Sequence, residues 1–243
     1  MIDFTFLTET FLQLLAALPV TLGLFFSSLA IGAMLSAVIV AMRVSRSLPL
    51  SLFARGYMLI FRGTPLLIQL FLIYYGLGQF GAIRESLFWP VLRDPFSCAV
   101  LSLALCTAGY TAEILRGALM AVPAGHIEAG LACGMSRWLL LRRIIGPVTL
   151  RYALPAWSTE AILLVKSTAL ASLVTVWEVT GVAQQIIQRT YRTMEVFACA
   201  AVIYLLLNFI IVCVFAWLER TLTPALAARH PPALKATAEK EHD

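Results

Sequence analysis

Apolar residues in this chain do not alternate with polar ones; they come in long unbroken runs. The stretches 20–42, 57–77, 96–115, 152–174 and 196–218 are each dominated by aliphatic and aromatic side chains, and 20–42 carries no charge. Roughly 20 such residues suffice to span the ~30 Å hydrocarbon core of a bilayer as a helix. A membrane strand alternates lipid-facing and lumen-facing residues, so unbroken runs exclude a barrel. Backbone in lipid must then satisfy its own hydrogen bonds as helix. The pattern predicts an all-α, polytopic membrane protein with five transmembrane helices. Residues 1–18 are apolar but carry Asp3, Glu9 and Gln13, and Pro19 follows. They form either an interfacial helix or an outer extension of the first crossing.

The polar segments between the runs set the topology. Five crossings place the termini on opposite sides, and the side richer in Lys and Arg faces the cytoplasm. With the N-terminus outside, thirteen cations fall on the cytoplasmic side, from Arg43 through Arg55, Arg62, Arg116, Arg137 and Arg151 to Lys240; only Arg84, Arg93, Arg189 and Arg192 fall outside. The segment 116–151, between the third and fourth spans, is therefore cytoplasmic. It is predicted as a loop holding a short helix around His126–Met135. Segment 178–195 is a polar outer loop. The chain divides into a membrane domain, 1–221, and a cytoplasmic tail, 222–243. It shows no internal repeat and no second domain.

Composition narrows the function. The chain has 243 residues, 60% hydrophobic and 13% charged. Soluble domains carry about 25% charged residues, so this chain partitions into lipid. The net charge of +5 is spread through particular loops, which is topology information rather than a nucleic-acid patch. The five cysteines form no C-x-x-C pair and read as small packing residues. The start of the chain has no basic n-region, so the first helix is expected to serve as insertion signal. There is no G-x-x-x-x-G-K-[ST] phosphate loop, no H-E-x-x-H metal spacing and no G-x-S-x-G elbow. The chain is expected to be no enzyme, to carry no cofactor and to bind no metal or nucleic acid.

What remains is polar groups inside lipid, which are costly there and usually face a bundle interior or a water-filled path. Glu160 has no basic residue at i±3 or i±4. It either contacts a solute or pairs with another helix or a partner chain. Glu113 shares a helix face with Cys106 and Tyr110; it lines the same path or pairs with Arg116 at i+3. Lys166 has no stacking partner on its own helix and has a structural reading equal to any functional one. Pro65 removes a helical hydrogen bond within the second span, and Gly63 and Thr64 beside it permit a bend and close helix approach. Gln69, one turn on, either lines the path or bonds across helices.

Several of these residues carry a resemblance. Glu128-Ala129-Gly130, then Gly134, then Ile144-Ile145-Gly146-Pro147 resembles the E-A-A…G…I-x-L-P signature of ABC importer permeases, with Gly130 in place of alanine and Gly146 in place of leucine. Glycine weakens a helix by roughly 1 kcal/mol relative to alanine. Phe61-Arg62-Gly63-Thr64-Pro65 is similar to the F-R-G-T-P of the polar amino acid branch. Tyr110-Thr111-Ala112-Glu113-Ile114, Val122-Pro123-Ala124-Gly125, Ser158-Thr159-Glu160 and Lys166-Ser167-Thr168-Ala169-Leu170 extend the match, so that it covers residues 21–218. The likeness is greatest to the permeases of the histidine/lysine/arginine/ornithine and opine (octopine, nopaline) systems.

The resemblance implies a permease subunit of the bacterial inner membrane. It implies a second, different permease subunit as partner, two ATPase subunits holding ATP and magnesium, and an extracytoplasmic amino-acid-binding protein. It implies that Glu128, Ala129, Gly130, Gly134 and Pro147 belong to a coupling element that meets the ATPase. Glu160, Thr159, Ser158, Glu113, Tyr110 and Gln69 are then the candidates for the solute path. A cationic solute in a low-dielectric path favours a carboxylate partner, which makes Glu160 the first choice. The alternatives are a self-sufficient secondary transporter or channel and a structural scaffold. Secondary transporters often show two related halves, which are absent here, and a scaffold leaves Glu160 without a role unless a partner buries it.

Overall fold

A computed structural model describes residues 3–222, which are helical with no strand among them. Among the described residues, three uninterrupted helices are long and apolar enough to cross a bilayer: α1 (Phe4–Val44), α6 (Pro95–Met120) and α11 (Thr193–Leu222). Two bent pairs raise the count to five if each is one span. In the first, α2 (Leu48–Gly63) meets the segment Leu66–Gln79, which opens with α3 (Leu66–Phe71), at 104°. Short helices α4 (Gly81–Arg84) and α5 (Trp89–Leu92) lead into α6. α7 (Ala124–Ala132) and α8 (Arg137–Leu140) follow it, and a π turn joins α8 to α9 (Gly146–Ser167). In the second bent pair, the helical run Arg137–Val174 meets α10 (Val179–Thr190) at 49°.

α1 has 41 residues, about 60 Å at 1.5 Å per residue, which is twice the ~30 Å a bilayer core needs. Residues 4–18 are therefore an extension of the first crossing, continuous through Pro19. This extension buries Leu14 and Ala17 against Val179 and Ala183 of α10 and Val196 and Ala200 of α11. Asp3 caps the helix by accepting the Phe6 N–H at 3.1 Å. The same carboxylate pairs with Arg192 at 3.2 Å, which ties the start of α1 to the start of α11.

α1 and α6 form the centre of the bundle. Apolar side chains gain little by leaving lipid for each other, so membrane helices associate through close packing of small residues and interhelical hydrogen bonds. Both are present. Ser28 Oγ donates to the Val100 carbonyl at 3.3 Å. Gly32 lies so near α6 that a Cβ there would stand 3.2 Å from the Ala104 carbonyl oxygen. Buried Ala104, Ala108 and Ala112 line the α6 side.

Three sequence expectations change. The segment 116–151 is not a loop: α6 runs through Arg116 to Met120, and the chain is helical again from Arg137. Arginines near a membrane boundary reach outward along their methylene stems without ending a helix, so charge alone misplaces both ends. The segment 178–195 is not a loop either; α10 occupies most of it. The second span does not kink at Pro65 but breaks there, and Pro65 begins a new helix. Of the predicted tail 222–243, all but Leu222 lies outside the described residues.

Candidate functional site

The break at Gly63-Thr64-Pro65 leaves carbonyls at the end of α2 without helical partners, and Pro65 has no N–H to give. Gln69 supplies the donor. Its Nε2 reaches the Phe61 carbonyl at 2.9 Å, the Thr64 carbonyl at 2.9 Å and Thr64 Oγ1 at 2.8 Å. Cys106 Sγ adds a weak contact to the Phe61 carbonyl at 3.8 Å. Gln69 thus holds the break together, and it is not among the residues lining the cavity beyond it; Gly63, Thr64 and Pro65 form the break.

Just beyond the break, Leu66 walls a cavity of about 230 Å³. Two successive turns of α6 supply Cys106, Thr107 and Tyr110, and two turns of α9 supply Glu160, Leu163, Leu164 and Ser167. Glu160 is buried, 7% exposed. It is the one charged group in an otherwise apolar and hydroxyl-bearing wall. The arrangement offers a carboxylate to a cation, with hydroxyls from Thr107, Tyr110 and Ser167 around it.

The structure brings together only some of the sequence candidates. Glu160 and Tyr110 share the cavity. Glu113 is drawn away: Arg116 holds its two oxygens at 2.6 and 3.1 Å, the i,i+3 pair. Thr159 is exposed, with its hydroxyl turned back to the Pro155 carbonyl at 3.4 Å. Ser158 is half-buried and outside the lining. Thr107 and Ser167 were missed, although Thr107 lies one turn before Tyr110 and Ser167 two turns after Glu160, spacings that place each on the relevant face.

The second candidate region is α7. Pro123 precedes it, and Gly134 ends it with φ +73°. The Met135 N–H reaches the Gly130 carbonyl at 3.1 Å and the Gly134 N–H the Leu131 carbonyl at 2.9 Å. This is a Schellman ending, whose left-handed position suits glycine. The helix has two faces. Ile127 shares a cavity with Arg43, Val44, Arg116 and Ile145. Gly130 is buried, and a Cβ there would stand 2.5 Å from Leu140 Cδ1 and 3.0 Å from Ile144 Cδ1. Gly130, one of the two glycines that depart from the signature, is thus the site where α8 seats against α7. Glu128, Ala129 and Leu131 are exposed. Pro147 lies outside α7, in the first turn of α9; the Gly146 N–H closes the preceding π turn on the Leu141 carbonyl.

A third polar group was misread. Glu178, assigned by sequence to an outer loop, is fully buried. It caps α10, accepting the Gly181 N–H at 2.8 Å and the Tyr204 hydroxyl at 2.7 Å. Thr180 Oγ1 lies 3.1 Å from the Tyr204 oxygen. Thr21 Oγ1 accepts the Val179 N–H at 3.2 Å. The network joins α1, α10 and α11.

Comparison with known proteins places this architecture. Residues 28–224 match the family of binding-protein-dependent transport system inner membrane components. The chain belongs to that family. It is the permease component of an ABC importer, and that component is not the catalytic one. The octopine transport system permease protein of Rhizobium radiobacter is 53% identical over 222 residues, 91% of each chain. The nopaline transport system permease protein of Agrobacterium fabrum is 48% identical, covering 93% of this chain and 95% of its own. The histidine/lysine/arginine/ornithine permease protein of Salmonella typhimurium is 40% identical, covering 83% and 86%. The crystal structure of an amino acid ABC transporter with histidines superposes with a TM-score of 0.80 at 32% identity, covering 91% of this chain and 99% of that one.

Proposed function

We propose that this permease imports a cationic amino acid or an opine across the bacterial inner membrane, with Glu160 receiving the cation. The observation that carries the reading is the buried Glu160 carboxylate facing the cavity between α6 and α9. A carboxylate in a low-dielectric pocket discriminates strongly for positive charge. The relatives named for octopine, nopaline and histidine/lysine/arginine/ornithine transport agree, since all these solutes except histidine carry a guanidinium or ammonium group on the side chain at neutral pH.

In this reading the N-terminus is outside, residues 1–221 are the membrane domain and 222–243 a cytoplasmic tail. The exposed Glu128–Ala129 face of α7 meets a separate ATPase, which holds ATP and magnesium. Gly130 and Gly134 shape α7, and Pro147 starts the helix that carries Glu160. Force on α7 passes through Leu140 and the π turn into α9. Nucleotide-driven closure then biases the bundle between outward and inward access. A second, different permease subunit completes the pathway. An extracytoplasmic binding protein delivers the solute.

The test is uptake of radiolabelled octopine, nopaline, arginine, histidine and glutamine into vesicles. These hold this chain with its partner permease, ATPase and binding protein, with and without internal ATP. ATP-dependent uptake of a cationic solute is expected. ATP-dependent uptake restricted to glutamine would remove the charge argument, and uptake by this chain alone without ATP would overturn the importer reading.

A further inference from the structure

Tyr110 stands in the walls of two cavities. One holds Glu160. The other, about 460 Å³, is lined by Arg43, Arg55, Arg62, Gly63, Tyr110 and Glu113 among others. Along α6 the shared wall runs from Thr107 to Glu113, about 9 Å at the rise of a helix. The sign of charge inverts over that interval, from a carboxylate to a group of guanidiniums.

The second cavity is not balanced. Its one acid, Glu113, is held by Arg116. Among the described residues no carboxylate lies within salt-bridge distance of Arg43, Arg55 or Arg62. Arg43 Nε is buried without a hydrogen-bond partner, and its Nη1 makes only a long contact, 3.5 Å, to Ser51. A buried guanidinium donor without an acceptor is unfavourable and calls for one.

Arg62 stands in the last turn of α2, where a helix end favours a cation, and it also lines this cavity. Its stem packs on Gly109, where a Cβ would stand 3.4 Å from Arg62 Cγ. Its guanidinium lies 5.2 Å from the Tyr110 ring centroid. Tyr110 is ten residues before the end of α6 at Met120, about 15 Å inside that end. Arg62 is exposed in this chain, so its guanidinium is open to an anion in the cavity.

We propose that Arg62, with Arg43 and Arg55 beside it, forms a carboxylate-accepting subsite that takes the anionic end of the solute whose cation Glu160 holds. This deepens the transport reading and rests on it. A guanidinium presents a planar fork that matches a carboxylate with two hydrogen bonds. A solute with a guanidinium at one end and carboxylates at the other lies across Tyr110 with both ends neutralised. An opine such as octopine, an arginine bearing a second carboxylate, uses the subsite most fully. A phosphate of an anionic lipid offers the same chemistry, and the test separates the two.

The full transporter is placed in nanodiscs of phosphatidylcholine with or without phosphatidylglycerol. Equilibrium binding of octopine, arginine and agmatine (a guanidinium without a carboxylate) is measured on each. Arg62→Gln is expected to weaken octopine by roughly tenfold or more, the range for losing a hydrogen bond to a charged group, and to leave agmatine unchanged. Arg62→Lys keeps the charge and is expected to recover part of the octopine affinity, which shows that the site still folds. Glu160→Gln should weaken octopine and agmatine together. Equal weakening of octopine and agmatine by Arg62→Gln overturns the subsite. So does loss of co-purified phosphatidylglycerol with octopine binding intact, which assigns the cluster to lipid. If the wild type neither binds these solutes nor takes them up with ATP, the transport reading itself fails, and the subsite with it.

Discussion

Among the described residues two carboxylates, Glu160 and Glu178, are buried, and their surroundings give them different work. Glu178 accepts from the Gly181 N–H and the Tyr204 hydroxyl and caps a helix. Glu160 faces open cavity volume. Removing one partner of a satisfied buried group leaves the other unpaired, at about 1–3 kcal/mol. Tyr204→Phe should therefore lower the thermal midpoint of the purified transporter by several degrees. Glu160→Gln should leave that midpoint nearly unchanged while reducing uptake of arginine more than uptake of a neutral solute. If Glu160→Gln destabilises as Tyr204→Phe does, Glu160 is a structural group. Sequence alone separated these residues poorly. Glu160 stood out because it interrupts an apolar run. Glu178 did not, because it opens the polar segment 178–195 and its burial comes from α1 and α11, distant in sequence.

At the scale of elements, the sequence shows where helices pass through lipid but not where they end. The apolar runs overlap α1, α6, α9 and α11. Their ends were misplaced because Arg116, Arg142, Arg143 and Arg151 read as loop, yet sit on helices whose backbone bonds continue beneath them. The Pro65 break was legible as a bend, and its full 104° was not, because Gln69 holds the freed carbonyls of α2 through side-chain bonds that no periodicity encodes. Gln69→Leu should remove those bonds and destabilise the break by about 1–3 kcal/mol, measured as a lower denaturation midpoint in detergent; no change would mean water replaces the amide. The clasp between α1 and α11 has a pH signature. Asp3 lies outside the spanning segments, and its carboxyl is held below its ordinary value of 3.8, first by the Phe6 N–H and then by Arg192. A carboxyl lowered in the folded state stabilises fully above that ordinary value and loses its effect as pH falls through the lowered one. Asp3→Asn keeps an oxygen for the Phe6 N–H and removes the ion pair. Its midpoint should lie below that of the wild type at neutral pH, and the gap should close in acid.

At the scale of the whole molecule, the remaining issue is which end of the bundle meets the ATPase. The α7 end gathers Arg43 and Arg116 around Ile127, whereas Arg192 lies with Asp3 at the start of α1. If the arginine-rich end is cytoplasmic, α7 faces the cytoplasm and the segment between α3 and α6 faces outward. Ser136 and Leu87 are exposed on these two segments, Leu87 at 96%. A cysteine at each makes the test, in a background without Cys133, which is itself exposed three positions from Ser136. In intact cells a membrane-impermeant maleimide should label Leu87→Cys and spare Ser136→Cys, and in inverted vesicles the pattern should reverse. The opposite pattern would turn the whole topology over. The same vesicles test the lever. A cysteine at Ala129, on the exposed face of α7, should be shielded from maleimide when the ATPase is bound, whereas Ser136→Cys, beyond the Schellman turn, should remain more reactive. Glu128→Lys should leave the chain in the membrane, weaken ATPase retention and abolish ATP-driven uptake. Undiminished uptake by that variant would place the coupling contact on another surface.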